Sequence, residues 1–259
     1  MTLFVRSITS LCYAALLLGS LYLDATFFTL VVLTMASLSL LEIQRITNKK
    51  SLIVFLTFPA FLLFSHFVEY AFLTLLLLGT IGVQLMANFY WRKRKISFTK
   101  TFVTVLGIFG VSVPLVLLVL LGRQNPDFVA FFFGIIWLND TGAYLVGSSM
   151  GKHLLASAIS PNKTIEGSIG GVVISTTIML YMGTYFEILD AKTMFAAIII
   201  TAIGGGFGDL VQSKIKRQCG IKDSGRILPG HGGMYDRLDS SLLAIPLYIL
   251  ILFVFGYVS

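Results

Sequence analysis

An all-α, polytopic transmembrane helical bundle is the fold this sequence predicts, and three observations carry the prediction. Hydrophobic residues make up 56% of the 259-residue chain and charged residues only 12%, with a mean hydropathy of +0.90. That is too little charge to coat a water-facing surface. The apolar residues fall into runs close to the ~20 that cross a bilayer as a helix. Basic residues gather between alternate runs, as they do on the cytoplasmic side of membrane proteins.

Nine runs can be placed, at about 8–23, 25–43, 51–67, 69–90, 101–121, 127–149, 167–186, 193–211 and 241–258. The first reads as a span and not as a cleaved leader, because no small-residue cleavage site precedes a soluble domain. Asp24 alone separates the first two, which predicts a tight helical hairpin or a re-entrant pair. Pro59 and Pro114 fall inside runs, where neighbouring helices can satisfy the freed carbonyls of a kink. With the N-terminus in the cytoplasm, only Arg123 and Lys192 of the 19 basic residues fall outside, together with the acids Asp24, Glu69, Asp127, Glu187 and Asp190. The net charge of +7 is then polarised toward anionic headgroups and nucleotides. No soluble basic domain exists to carry nucleic acid, so that partner is excluded. Cys12 and Cys219 form neither a zinc pattern nor a disulfide framework.

The chain divides by character at about residue 125. Residues 1–125 are N-terminal transmembrane helices with short loops and one cationic run, Trp91 to Lys95, which reads as an anchor at the lipid interface. Residues 126–259 form a C-terminal catalytic transmembrane domain, because polar groups there enter or flank the spans in three clusters. The first, WLNDTGAYLVGSSMGKH, sets Asp140 deep in an apolar helix with Tyr144 one turn on. An intramembrane carboxylate is costly and usually faces a cavity, a partner or an ion. The second, SPNKTIEGSIGG, offers a turn at Pro161 and Asn162, phosphate-type donors in Lys163 and Thr164, and Glu166 in the first turn of the next helix, where the macrodipole favours it.

The third cluster runs from IGGGFGDLVQSKIKRQCG through KDSGRILPGHGGMYDRLDS. Glycines 204, 205, 206 and 208 strip side chains from one helix end, so another backbone or a ligand can approach closely. Asp209 follows at the membrane surface, with Ser213, Lys216 and Arg217 beyond it. Asp236 and Asp239 are spaced i, i+3 and share a face if the last helix begins there. Asp209, Asp236 and Asp239 converging from two helices would repel one another unless a cation sat between them. An oxygen-only donor set suits Mg²⁺ far better than zinc. The adjacent lysines and arginines point to a polyphosphate, and glycines 225, 230, 232 and 233 can turn amide N–H groups toward its oxygens.

Ser213 to Asp239, SKIKRQCGIKDSGRILPGHGGMYDRLD, resembles the signature of the phosphatidate cytidylyltransferases, the CDP-diacylglycerol synthases. NDTGAYLVG and SPNKTIEG resemble the same family, so the likeness covers about residues 137–245. It implies transfer of a cytidylyl group from CTP to phosphatidate, giving CDP-diacylglycerol and pyrophosphate. It also implies Mg²⁺, with a second cation compatible with the same acids, and suggests a homodimer. By resemblance, Asp209, Asp236 and Asp239 are the metal acids and, with Lys216, the catalytic set. Lys163, Ser213, Arg217, Lys222, His231, Arg237 and Asp140 are expected around the substrates, and Asp223 would order the loop. The expected place is a bacterial cytoplasmic membrane, among membrane lipid, with the site facing the cytoplasm. Where many relatives carry an arginine after the glycine of the Asp140 helix, this chain has Gly147, Ser148 and Ser149.

Two other readings share some of these features. A CTP-dependent polyprenol or phytol kinase would use similar acids and bases to phosphorylate an alcohol. An ion or proton transporter would use Asp140 and Asp209 as membrane carboxylates, although such sites usually lie within inverted repeats, which this sequence lacks.

Overall fold

The computed structural model describes residues 3–64, 98–157, 159–227 and 232–258. The run at 69–90 and the cationic segment Trp91 to Lys95 lie outside the described residues. Each of the other predicted runs coincides with a helix. Five helices are long and apolar enough to cross a membrane: Ala25–Thr47, Lys100–Gln124, Pro126–Met150, Ile165–Tyr185 and Ala191–Gln218. Ile8–Leu23, Ile53–Leu63 and Ser241–Val254 are shorter apolar helices. The chain is thus a helical integral membrane protein.

Helices α1 (Leu3–Leu23) and α2 (Ala25–Thr47) form a tight hairpin at Asp24, one of the two arrangements expected there. Asp24 makes the reversal by capping α2, its Oδ1 accepting from the amides of Thr26 and Phe27, each at 2.8 Å. Helix α3 (Ile53–Phe64) contains Pro59. Helix α4 (Lys100–Gly107) runs through a π-helical turn, Ile108–Ser112, into α5 (Val113–Gln124). Pro114 explains the turn: it has no N–H for the carbonyl of Gly110, and its ring crowds that carbonyl, so the register loosens just ahead of it.

Helix α6 (Pro126–Met150) starts with proline in its first turn and with Asn125 accepting from the Asp127 amide. Two short antiparallel strands follow, β1 (Leu154–Ala156) and β2 (Ser160–Thr164), so the fold departs from purely helical here. Pro161 and Asn162 lie in β2 and not in the turn that was expected. Proline is tolerated in such a ribbon because each strand has one free edge. Thr164 then caps α7 (Ile165–Tyr185) through its hydroxyl, which accepts from Gly167 N at 3.1 Å. Glu166 occupies the first turn of α7, as the macrodipole favours.

Helix α8 (Ala191–Gln218) is capped by Asp190, and a 3₁₀ turn, Tyr235–Arg237, leads into α9 (Ser241–Val254). The core lies where α5, α6 and α9 meet. Phe132 stacks edge-on against Phe133 at 5.1 Å and lies 5.4 Å from Tyr248. The buried Tyr248 hydroxyl donates to Phe128 O at 3.0 Å, which satisfies its one polar atom.

Two glycine-mediated contacts position the site. Between α6 and α7, a Cβ on Gly142 would stand 3.2 Å from the Cα of Gly171, so these helices meet backbone to backbone. Between α8 and the start of α9, a Cβ on Gly208 would stand 2.7 Å from the carbonyl oxygen of Asp239. The glycine run therefore admits another backbone, one of the two roles its sequence allowed. At the far end of the bundle, Tyr22 donates to Asp127 at 2.8 Å and Tyr257 to Asp190 at 3.0 Å. By helix rise, Asp190 sits roughly 28 Å along α8 from Asp209.

Candidate active site

A cavity of about 890 Å³ opens between α1, α6, α8, the β-hairpin and the segment before α9. Asp140, Lys163, Asp209, Asp236, Arg237 and Asp239 all line it. Its volume lies within the usual range for a small-molecule site.

Asp209 is gripped from two sides. Lys163 Nζ, carried in by β2, is 2.5 Å from its Oδ2, and Ser213 Oγ, one turn along α8, donates to Oδ1 at 3.1 Å. Ser240 links two more of the cavity acids: its hydroxyl donates to Asp140 Oδ2 at 3.2 Å and its amide to Asp239 Oδ1 at 2.9 Å. Asp239 opens on the cavity, yet the surrounding protein displaces much of its water. That desolvation, then the charge of Asp209 and after it that of Asp140, push its carboxyl well above the ordinary carboxylate range, against the pull of Lys216.

Asp236 is bound differently. Lys216 Nζ donates to its Oδ1 at 2.7 Å, while Ser224 N and Gly233 N donate to Oδ2 at 2.8 and 2.9 Å. Burial opposes its charge, but the lysine and the two amides outweigh burial and hold its carboxyl below the usual value. Both of its oxygens are engaged.

The sequence placed Asp209, Asp236 and Asp239 around one cation. Among the described residues, no three His, Cys, Asp or Glu side chains stand close enough together to hold a metal ion. Helix α9 begins at Ser241, so Asp236 and Asp239 do not share a helical face. Asp236 sits in the 3₁₀ turn and points to Lys216, whereas the acids whose charges act on Asp239 are Asp209 and Asp140. Acids that repel across a cavity, with oxygen donors only, fit a hard cation. Mg²⁺ commonly takes one or two carboxylates and completes its shell with substrate phosphates and water, so a closed protein cage is not required.

The remaining expected residues divide. Arg237 lines the cavity, and its Nε is buried with no partner among the described residues. Lys216 and Ser213 reach the site only through Asp236 and Asp209. Arg217 turns elsewhere, donating to the carbonyls of Ile159 at 3.4 Å and Ile221 at 3.3 Å, so it ties the hairpin to the loop. Lys222 and Asp223 are exposed and line no part of the cavity. Asp236 accepts from two amides of that loop, Ser224 N and Gly233 N. His231 lies outside the described residues.

Two residues of the N-terminal half join the site without having been expected there. Tyr13 of α1 lines the cavity, with its hydroxyl oxygen buried and no partner among the described residues. Glu42 of α2 is only 2% exposed and meets the loop before α9. A lone carboxylate in LSLLEIQR, inside the apolar run at 25–43, was the available signal.

Gly208→Ala tests the close approach of α8 to Asp239. The added methyl has no room, so the two segments must part and Asp209 must move away from Asp239. Activity is expected to fall about tenfold or more, since small misplacements at a reacting centre have effects of that order. An unchanged rate in a purified Gly208→Ala protein would remove the constraint.

Fold and site together define a class: an integral membrane protein that holds acids, a lysine and an arginine around a cavity between its helices. The chain belongs to the cytidylyltransferase family, whose model matches residues 4–255. It is 41% identical over 161 residues to a phosphatidate cytidylyltransferase of Staphylococcus saprophyticus, covering 62% of each chain. It is 48% identical over 126 residues to the one from Staphylococcus haemolyticus, covering 48% of each, and 46% identical over 130 residues to one from Staphylococcus aureus, covering 50% of each. The matched stretch thus spans between about half and 62% of these relatives.

Proposed function

We propose that this protein acts as a phosphatidate cytidylyltransferase, converting phosphatidate and CTP into CDP-diacylglycerol and pyrophosphate for phospholipid synthesis. It would work in a bacterial cytoplasmic membrane, with the cavity open to the cytoplasm. The observation that carries this reading is the cavity itself, whose acids, Lys163 and Arg237 share one space with the apolar side chains of Ile136, Trp137 and Phe207. Such a chamber suits a substrate with a phosphate head and acyl chains meeting a water-soluble nucleotide. The family match and the named relatives support the same choice.

In the reaction, a phosphate oxygen of phosphatidate attacks the α-phosphorus of CTP. A new P–O bond forms, the bond to the bridging α–β oxygen breaks, and pyrophosphate leaves. Two polyanions must meet, so most of the catalytic task is neutralisation and alignment. Lys163 and Arg237 supply positive charge at the cavity wall. Lys216 contributes from behind Asp236. Asp209 and Asp239 are the oxygen donors that would hold Mg²⁺, its remaining positions left to substrate phosphates and water. Bound there, it would neutralise phosphate charge. No covalent enzyme intermediate is required.

The deciding experiment is an assay of the purified protein with phosphatidate, each of the four nucleoside triphosphates, and either Mg²⁺ or a chelator. CDP-diacylglycerol and pyrophosphate are expected from CTP alone, and only without chelator. Failure to form the lipid product from any nucleotide, or transfer of only the terminal phosphate of CTP to an alcohol, would overturn the reading. Lys163→Ala is expected to raise the KM for CTP about tenfold, because a lost phosphate contact of this kind is worth roughly 1.4 kcal/mol. A CTP titration with unchanged KM would count against Lys163 as a phosphate contact.

A further inference from the structure

Glu42 lies near the end of α2, far in sequence from every motif of the site, yet it is the acceptor for three groups of the loop before α9. Ser224 Oγ donates to its Oε2 at 2.6 Å, Tyr235 N to the same oxygen at 2.9 Å, and Met234 N to its Oε1 at 2.9 Å. The side chain is 2% exposed and forms no salt bridge among the described residues. Such a carboxylate is tolerable because directed donors replace its lost water.

The loop is shaped to admit it. A Cβ on Gly225 would stand 2.5 Å from Glu42 Oε1, and a Cβ on Gly233 would collide with both carboxylate oxygens. From the other side, Asp236 accepts from Ser224 N and Gly233 N while pairing with Lys216. Two carboxylates, one from α2 and one from the loop itself, therefore bind both of its ends, Ser224 on one strand of the loop and residues 233–235 on the other.

We propose that Glu42 is a positioning residue for the catalytic loop: its carboxylate clamps Ser224 to Met234 and Tyr235, and so fixes the turn that carries Asp236, Arg237 and Asp239 toward the cavity. It touches neither substrate. The sequence signature of the C-terminal half is thus completed by a residue of the N-terminal half, which makes α2 part of the working unit. The role in turnover rests on the cytidylyltransferase reading, whereas the clamp itself does not.

The test compares the purified wild-type protein with E42Q, E42D and S224A, by steady-state kinetics and by hydrogen exchange of the peptide containing Met234 and Tyr235. In E42Q, whose amide group sets an N–H against the loop donors, exchange at these amides is expected to quicken at least tenfold while the remaining helices exchange as before. Its kcat should fall at least tenfold. E42D keeps the acceptor charge on a shorter arm and should retain more activity than E42Q, an order that simple filling of space would reverse. S224A, which leaves α2 untouched, should quicken the same amides by a smaller factor. Wild-type exchange in both E42Q and S224A, or E42Q outperforming E42D, would overturn the clamp. If the wild-type protein makes no CDP-diacylglycerol, the functional reading fails, and the exchange measurements still decide the clamp.

Discussion

Asp239→Asn is expected to lower turnover at least about a thousandfold while leaving the protein as stable as wild type or more so. The activity loss follows from removing a charged oxygen that faces Asp209 where phosphate charge must be neutralised, an effect on the scale of several kcal/mol in related electrostatic sites. The stability effect has the opposite sign. Desolvation and the charges of Asp209 and Asp140 raise the Asp239 carboxyl in the folded state, so the fold binds a proton there more readily than the unfolded chain does. Stability therefore falls as pH rises from the ordinary carboxylate value, about 4, up through the raised folded value. The Asn variant has no charge to desolvate. Thermal midpoints in detergent without divalent cation should match near pH 4 and favour the variant increasingly as pH rises. A variant that keeps near-normal turnover would remove Asp239 from the catalytic set, and one that is markedly less stable at pH 8 would show that its charge supports the fold.

Lys216→Met is expected to lose both activity and stability. Lys216 is 7% exposed and, among the described residues, is the one cation paired with Asp236. Removing it strands a carboxylate that keeps only two amide donors, and breaking a buried pair costs about 3 kcal/mol or more. Asp236 is held below the ordinary carboxylate range. Its contribution is thus fully present above about pH 4 and is lost as pH falls through the depressed folded value. The stability gap between wild type and Lys216→Met should accordingly be widest at neutral pH and narrow in acid, the reverse of the Asp239→Asn profile. Denaturation midpoints at pH 4 and pH 7 check this. Equal midpoints for the two proteins at pH 7 would mean that the ion pair holds nothing together.

These two substitutions sit three residues apart in their targets, Asp236 and Asp239, and the sequence treated those acids alike. Both were legible as candidates because a short polar loop between apolar spans has no other need of them, and both line the cavity. Their division of labour was not legible. It depends on a 3₁₀ turn that aims Asp236 back at α8 and on the Gly208 contact that brings Asp239 beside Asp209. Asp140 was read as a carboxylate facing a cavity, a partner or an ion, and it lines the cavity. Its link to Asp239 through Ser240 needs two helices packed in a particular register, which no local pattern specifies.

Hydropathy and charge suffice to establish a helical membrane protein, the places of most of its helices and the tight reversal at Asp24, and the residue types in its polar clusters suit phosphate handling. Those properties follow from local rules: the length of an apolar run, the orphan amides of a helix start, the chemistry of oxygen donors. Tertiary structure alone decided that α2 supplies Glu42 to the loop, that α1 supplies Tyr13 to the cavity, and that Asp236 holds the loop. Such contacts join residues as many as 193 positions apart. Their geometry arises from how whole helices pack, and a one-dimensional pattern carries no record of that.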